Sequence, residues 1–173
     1  MLENKEIKLR ALEVEDLDWF YQLENDVSLW KTNDTLSPLS KHILKQYIEY
    51  SHLDIYQTKQ LFLAIEAKDT KQTVGIAQLM DFDPFHKRTE IGVVIDKNFR
   101  NNGYAYSAIT LLLDYAFGFL KVHQCYANVA ASNKGSIALF EKLGFELACV
   151  KKDWLFWDGY EDVLFFQKIN EKY

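Results

Sequence analysis

The chain has 173 residues, of which 49% are hydrophobic, with seven glycines, two prolines and a net charge of −5 at pH 7. This length fits one domain, residues 1–173, with a sizeable core, and the composition excludes disordered and collagen-like proteins. The negative charge argues against nucleic acid as a partner and mildly favours a cationic one.

The sequence carries no secretion-signal pattern and no apolar run of 18 residues. We therefore expect no membrane partner and a cytoplasmic location. The two cysteines, Cys125 and Cys149, lack the spacing of metal ligands, so reduced thiols and no metal site are expected. The protein is expected to be a monomer or a homodimer.

The first third of the chain reads as one strand and two helices. Residues 7–12 alternate as in a strand, and residues 14–24 form an amphipathic helix pattern with acids near its start. Residues 25–36 have no clean period, which predicts a loop that carries Trp30. Ser37 then reads as an N-cap and Pro38 as the first residue of a helix that runs to about residue 53.

Strand patterns dominate the rest of the chain. Strands are predicted at residues 60–66, 73–80, 91–95, 124–130, 145–151 and 160–167, and helices from residue 105 and over residues 133–143. This order predicts an α+β fold: a central mixed, mostly antiparallel sheet of six to seven strands with helices on both faces.

A polar turn lies between the β-branched strand at 91–95 and the helix that follows it. The turn reads Arg100-Asn101-Asn102-Gly103. A strand, a Gly/Asn turn and a helix N-terminus together form an anion site, because backbone N–H groups converge at the positive end of the helix dipole. The turn lacks the Gly-Lys-Ser/Thr ending of a P-loop and the three glycines of a dinucleotide fingerprint.

Two ordered motifs resemble those of the GNAT acetyltransferases. Arg100 to Ala105 resembles the coenzyme A loop of that family, Arg/Gln-x-x-Gly-x-Gly/Ala, with Asn101 where many members have glycine. Asn133 to Phe145 resembles the segment Asn-x-x-Ser/Ala-x-x-x-x-Glu-Lys-x-Gly-Phe. The chain is therefore identified as a member of this family. It is most similar to ribosomal-protein N-terminal acetyltransferases and spermidine acetyltransferases.

The resemblance implies acetyl-coenzyme A as the cofactor. It also implies that the strand at 91–95 diverges from the next strand and leaves a slot for the thioester, with a backbone N–H near Val93 facing the thioester carbonyl. The residues expected to bind the cofactor are Val93, Val94, Ile95, Arg100, Asn101, Asn102, Gly103, Tyr104, Ala105, Asn128, Asn133, Ser136 and Phe140.

Amine acetylation needs a base, because an alkyl amine with a pKa near ~10.4 arrives protonated. Glu90 is the candidate; the alternative is a strand-end carboxylate paired with Arg88 or Lys87. Glu161 and Asp162 are weaker candidates.

The leaving thiolate calls for a donor. The family's usual tyrosine position is Phe140 here, so Ser136, one turn earlier on the same helix face, is the substitute. Alternatively, its hydroxyl bonds a helix carbonyl. Tyr104 and Tyr126 are further candidates for the donor, and a coenzyme A thiolate is also a good enough leaving group to depart without a dedicated acid.

The expected reaction is direct attack of a primary amine, either a protein N-terminus or a polyamine-like small molecule, on acetyl-coenzyme A in a ternary complex. The alternative is a non-catalytic acyl-coenzyme A sensor or partner module. Aromatic and acidic side chains suit a cationic acceptor with an apolar stem. The residues expected to bind the acceptor are Glu24, Trp30, Glu90, Trp154 and Tyr160.

Overall fold

The structure is a computed structural model that describes residues 2–33, 35–50 and 53–171. In this part of the chain, seven strands form one sheet that carries helices on both faces. The strands are β1 (Ile7–Arg10), β2 (Leu61–Ala67), β3 (Thr73–Asp83), β4 (Arg88–Ile95), β5 (Gln124–Ala130), β6 (Glu146–Phe156) and β7 (Tyr160–Ile169). The helices are α1 (Leu17–Glu24), α2 (Val27–Asn33), α3 (Lys41–Glu49), α4 (Ile55–Thr58), α5 (Tyr104–Gly118) and α6 (Lys134–Lys142).

The strand order across the sheet is β1-β2-β3-β4-β5-β7-β6. Neighbouring strands are antiparallel except β4 and β5, which are parallel because the helical crossover α5 joins them. The predicted α+β fold with a mixed, mostly antiparallel sheet and helices on both faces is confirmed.

Each face of the sheet has its own core. On one face, α5 buries Ala108, Ile109 and Leu112 together with residues of all three central strands. On the other face, α1 and α3 pack Phe20 and Leu44 over Ala64 and Ile76. The second core is smaller, so it leaves part of the sheet surface around β4 and β5 less deeply covered.

The predicted loop at residues 25–36 is wrong for its central part, because residues 27–33 form α2. Asp26 begins this segment: its Oδ1 accepts hydrogen bonds from the backbone N and the hydroxyl of Ser28. The seven-residue helix is too short to show a clear apolar period, which explains why the pattern did not reveal it.

The predicted start of the next helix is also wrong. Ser40, and not Ser37, caps α3, accepting a hydrogen bond from the backbone N of Ile43 at 3.3 Å. The amide of Asn25 binds both the backbone N and the backbone O of Leu39, at 2.9 and 3.0 Å. That contact holds Leu39 outside the helix. The predicted helix end near residue 53 overlaps residues 51–52, which lie outside the described residues, and α3 itself ends at Glu49.

Other boundaries differ in smaller ways. The first strand ends at Arg10 and not at residue 12, while β3, β4 and β6 are longer than predicted. The short helix α4, which Asp54 caps, had no sequence prediction. Within residues 2–33, 35–50 and 53–171, no helix has the length and apolar character needed to cross a lipid bilayer.

Candidate active site

The parallel strands β4 and β5 pair only at their beginnings. Their register joins Arg88 to Gln124, Thr89 to Cys125 and Glu90 to Tyr126, and pairing stops there. Beyond Glu90, β4 stays paired with β3, and β5 stays paired with β7. The two strands therefore diverge as predicted. Val93, Val94 and Ile95 lie on the diverging part of β4, whose edge toward β5 offers backbone groups to an extended ligand.

The turn before α5 has the backbone geometry of an anion cradle. Asn101 and Gly103 both have left-handed backbones, with φ of 65° and 80°. Helix α5 begins directly after them at Tyr104, and Ala105 is its second residue. The first N–H groups of a helix lack intrahelical partners and are available to an anion. No atom lies within 4 Å of the position that a Cβ would take at Gly103. This open space suits the pyrophosphate of coenzyme A.

Polar side chains of the same turn stabilise its shape. The Nε of Arg100 donates to the carbonyl of Ile95 at 3.2 Å. The amide of Asn102 donates to the carbonyls of Phe99 and Arg100 at 3.1 and 3.3 Å. These bonds satisfy carbonyl groups and use none of the backbone N–H groups at the start of α5.

Glu90 lies where β4 and β5 separate. Its Oε1 accepts hydrogen bonds from the side-chain amide of Asn128, at 2.9 Å, and more weakly from the backbone N of Asn128, at 3.4 Å. Burial raises the pKa of the Glu90 carboxyl above its ordinary value, although the Asn128 hydrogen bonds act against this. Arg88, the alternative partner suggested by the sequence, instead pairs with Asp83 at 3.4 Å.

Tyr126 lies opposite Glu90 in the strand register and stacks on Phe165, with ring centroids 5.3 Å apart. Burial and the charges of Glu90 and Asp81 raise the pKa of Tyr126 to about 12. The phenol therefore stays protonated at neutral pH and is a proton donor, not a base.

The first turn of α6 places Asn133 and Ser136 together. The Oδ1 of Asn133 caps the helix and accepts a hydrogen bond from the backbone N of Ser136 at 3.1 Å. Ser136 is half-buried. One turn later, Phe140 is 4% exposed and packs against Phe145 and Phe166, with centroid distances of 5.0 and 6.3 Å. The ring at the family's tyrosine position thus lies in the hydrophobic core.

A second half-buried carboxylate lies at the end of α1. Burial raises the pKa of Glu24. Burial also raises the pKa of Tyr47 on α3, with the negative charge of Glu24 as a second cause. The Nε1 of Trp30 donates to the backbone O of Glu24 at 3.2 Å, so these two predicted acceptor residues are adjacent. Tyr47, which sequence reasoning missed, also contacts Phe62 edge-on at 4.9 Å.

The other two predicted acceptor residues, Trp154 and Tyr160, lie on the β6–β7 hairpin. They are 63% and 72% exposed and contact residues of the same hairpin: Trp154 covers Lys151, and Tyr160 packs on Phe156. Tyr160 also lines an open cavity of about 550 Å³ that lies next to Lys31 and Glu161. Glu161, the weaker base candidate, is already bound by the backbone N of Ser132 and by Lys31.

Comparisons with known proteins decide the family. The family model described as "Acetyltransferase (GNAT) domain" matches residues 6–146. The chain belongs to the GNAT acetyltransferase family. It is therefore an N-acetyltransferase that uses acetyl-coenzyme A, and the alternative of a non-catalytic module loses its support.

Several relatives of this GNAT chain are spermidine acetyltransferases. The Escherichia coli K12 spermidine N(1)-acetyltransferase is 28% identical over 144 residues, which cover 82% of this chain and 73% of the relative. The Vibrio cholerae enzyme is 25% identical over 98% of this chain and 96% of its own length. A crystal structure of Vibrio cholerae spermidine N-acetyltransferase in complex with CoA and spermine superposes with a TM-score of 0.86. That comparison has 26% identity and covers 98% of both chains.

Among the described residues, no group of three or more His, Cys, Asp or Glu side chains is arranged to hold a metal ion.

A dodecameric structure exists for the Vibrio cholerae enzyme, with 27% identity and a TM-score of 0.80. The expectation of a monomer or a homodimer for this chain stays a prediction.

Proposed function

We propose that this acetyltransferase acts on a terminal primary amine of a polyamine. The observation that carries the proposal is the pair of half-buried carboxylates, Glu24 and Glu90, on the α1–α3 face of the sheet. No salt bridge joins either of them to a Lys, Arg or His side chain within residues 2–33, 35–50 and 53–171. A half-buried carboxylate that no cationic side chain contacts directly favours a cationic ligand.

Aromatic and amide side chains connect the two carboxylates along this face. Tyr47, beside Glu24, contacts Phe62 of β2, which is paired with Gln78 of β3. Gln78 is in turn paired with Gly92 of β4, two residues beyond Glu90. These side chains give an apolar methylene chain a surface to lie on, with one carboxylate toward each end. A peptide with a free N-terminus carries no second ammonium group at a fixed distance from the first, so it would leave Glu24 without a cation to bind.

The reaction needs one proton acceptor and one proton donor. Acetyl-coenzyme A supplies an acetyl group activated as a thioester. Glu90 accepts a proton from the ammonium group, through water, and the freed amine nitrogen forms the new C–N bond while the C–S bond breaks. The nitrogen then loses a second proton to give the amide, and the departing thiolate takes up one proton to leave as a thiol. The backbone N–H of Val93 stabilises negative charge on the carbonyl oxygen. The hydroxyl of Ser136 donates a hydrogen bond to the departing sulfur.

Substrate class is tested by the release of free thiol from acetyl-coenzyme A in the presence of a panel of amines. Spermidine and spermine are expected to give the highest kcat/KM, ahead of amino sugars and short peptides with free N-termini. Preference for a peptide or an amino sugar would contradict the proposal. Binding of acetyl-coenzyme A without thiol release from any amine would instead revive the non-catalytic module.

Glu24→Gln is expected to raise the KM for spermidine about tenfold or more with kcat nearly kept, because it removes a charge that holds the remote ammonium group. The KM for a monoamine of similar length is expected to stay constant. Glu15→Gln, at an exposed carboxylate before α1, is the matched control. An equal KM increase for the monoamine and spermidine would assign Glu24 a structural role.

Ser136→Ala is expected to lower kcat about 3- to 10-fold without a matching change in the amine KM, because the hydrogen bond to sulfur strengthens only as the C–S bond breaks. The helix cap survives, since it uses the backbone N of Ser136. Ser132→Ala, at an exposed serine just before α6, is the control. Steady-state kinetics indistinguishable from wild type would remove Ser136 from the reaction.

A further inference from the structure

Three polar side chains on three different strands form one continuous hydrogen-bonded chain. Lys151 on β6 donates from its Nζ to the Oδ1 of Asn128 on β5, at 2.7 Å. Asn128 donates from its Nδ2 to the Oε1 of Glu90 on β4, at 2.9 Å. Lys151 is not a neighbour of Asn128 in the sheet, because β7 lies between β5 and β6. Its side chain therefore crosses β7 to reach the amide.

Aromatic rings hold the Lys151 ammonium group in place along this path. The nitrogen lies 4.9 Å from the ring centroid of Trp154 and 5.4 Å from that of Phe165. Phe165 is paired with Asn128 in the β5–β7 register and stacks on Tyr126. Cation–π contacts on two rings restrict a flexible side chain. Half-buried Lys151 is thus held in place, whereas Asn128 itself is exposed.

The chemistry of the three groups permits only one orientation of the amide. An ammonium group has only donors, and an ionised carboxylate has only acceptors. The Oδ1 of Asn128 must therefore face Lys151, and the Nδ2 must face Glu90. Without Lys151, the exposed amide is free to rotate or flip, and its oxygen would then repel the carboxylate.

We propose that Lys151 is a positioning residue for the acetyl transfer: it fixes the Asn128 amide so that its Nδ2 donates to Glu90 and holds that carboxylate toward the acceptor amine. The inference rests on the proposed role of Glu90 as proton acceptor. Lys151 does not itself touch the reacting atoms in this arrangement, and it orients Glu90 only through Asn128.

Charged and titratable groups face Glu90 from three strands: Asp81 from β3, Tyr126 from β5 and Lys151 from β6. Burial and the Asp81 charge raise the pKa of Glu90, whereas the Asn128 hydrogen bonds and the Lys151 charge lower it. Removal of Lys151 takes away a positive charge that lowers the pKa of Glu90. It also weakens the Asn128 hydrogen bond, which lowers the same pKa. The acidic limb of the pH profile for kcat/KM is therefore expected to move to higher pH.

Lys151→Met tests the proposal directly, because methionine keeps an unbranched apolar side chain of similar length and loses the ammonium group. At neutral pH, kcat is expected to fall about fivefold, the size of one lost hydrogen bond, with the KM for acetyl-coenzyme A unchanged. Lys152→Met is the matched control. Lys152 is the adjacent lysine of β6 and pairs with Asp162, at 2.7 Å, not with Asn128. Equal effects of the two substitutions would overturn the proposal, since they would reflect charge alone.

Two further variants test whether Lys151 acts through Asn128. In an Asn128→Ala background, Lys151→Met is expected to have little additional effect on kcat, because the connecting amide is gone, and to shift the acidic limb only by the smaller amount that the direct charge of Lys151 contributes. Lys151→Arg, which keeps a cationic donor, is expected to restore most of the wild-type profile. Fully additive effects of Lys151→Met and Asn128→Ala would contradict the indirect role.

An NMR pH titration of the Glu90 side-chain carboxyl in the free protein separates this proposal from the proposed function. The titration needs no acceptor, so it reads the influence of Lys151 even if no polyamine is acetylated. A higher midpoint in Lys151→Met than in wild type or Lys152→Met, with a smaller rise when Lys151→Met is made in the Asn128→Ala background, would support the positioning role. The same midpoint in all three proteins would overturn it.

Discussion

Glu90→Gln is expected to lower kcat for polyamine acetylation about 10²-fold or more, because the amide cannot accept the proton of the incoming ammonium group. The substitution keeps the size of the side chain, and its Oε1 can still accept from Asn128. A loss of rate therefore reports lost basicity and not a lost contact. The acidic limb of kcat/KM, which burial of Glu90 shifts to higher pH by raising the pKa of its carboxyl, is expected to disappear.

Three roles of Glu90 give different kinetics in this one variant. A base gives a large fall in kcat, whereas a carboxylate that only attracts the cationic acceptor gives a raised amine KM with kcat nearly kept. A purely structural carboxylate leaves both constants intact. Glu161→Gln is the control, since Glu161 is bound to Ser132 and Lys31. If Glu90→Gln had wild-type kinetics across pH, the proton acceptor would have to be another carboxylate or bulk water.

The stability of Glu90→Gln provides an internal check. Burial raises the pKa of Glu90 in the folded state, so the folded protein binds the proton more tightly than the unfolded chain. This contribution to stability is present at low pH and is lost as the pH rises through the folded-state pKa. Near pH 7 the ionised, buried carboxylate therefore costs stability. Glu90→Gln is expected to match or exceed the thermal stability of wild type there, which excludes unfolding as the cause of inactivity.

The central strand, the turn and α5 were predictable because their signals are local. The β-branched run at Ile91–Ile95 marks a buried strand, and Gly103 marks a left-handed residue, here at φ 80°, before the helix. Asn101 likewise adopts the left-handed conformation that asparagine tolerates better than most residues. Each feature depends on a few adjacent residues, so the sequence is sufficient to reveal it.

Features that depend on distant partners were not predictable. The start of α3 depends on Asn25, which binds Leu39 from 14 positions away. The environment of Glu90 depends on Asn128, 38 positions later, and through it on Lys151. Side chains alternate between the two faces along β5, which indicates that Tyr126 and Asn128 share a face. Only the parallel register, which pairs Glu90 with Tyr126, places that face beside the carboxylate.

Gly103→Val is expected to weaken acetyl-coenzyme A binding about 100-fold or more, measured by calorimetry. An added Cβ meets no atom within 4 Å at this position, so the new side chain extends into the space assigned to the pyrophosphate. In addition, φ at this glycine is 80°, where a β-branched residue is strained. A modest loss of stability, about 1–2 kcal/mol, is expected from that strain.

Gly103→Asn separates strain from blockage, because asparagine tolerates a left-handed backbone and still fills the cradle. It is expected to keep near wild-type stability and yet bind acetyl-coenzyme A weakly. Gly118→Ala, at the exposed end of the same helix, is the control: its added Cβ also meets no atom within 4 Å and φ there is not positive. If Gly103→Asn bound the cofactor as wild type does while only Gly103→Val failed, the turn would matter for its backbone shape and the phosphate would lie elsewhere. Unchanged affinity in both Gly103 variants would remove the turn from the cofactor site altogether.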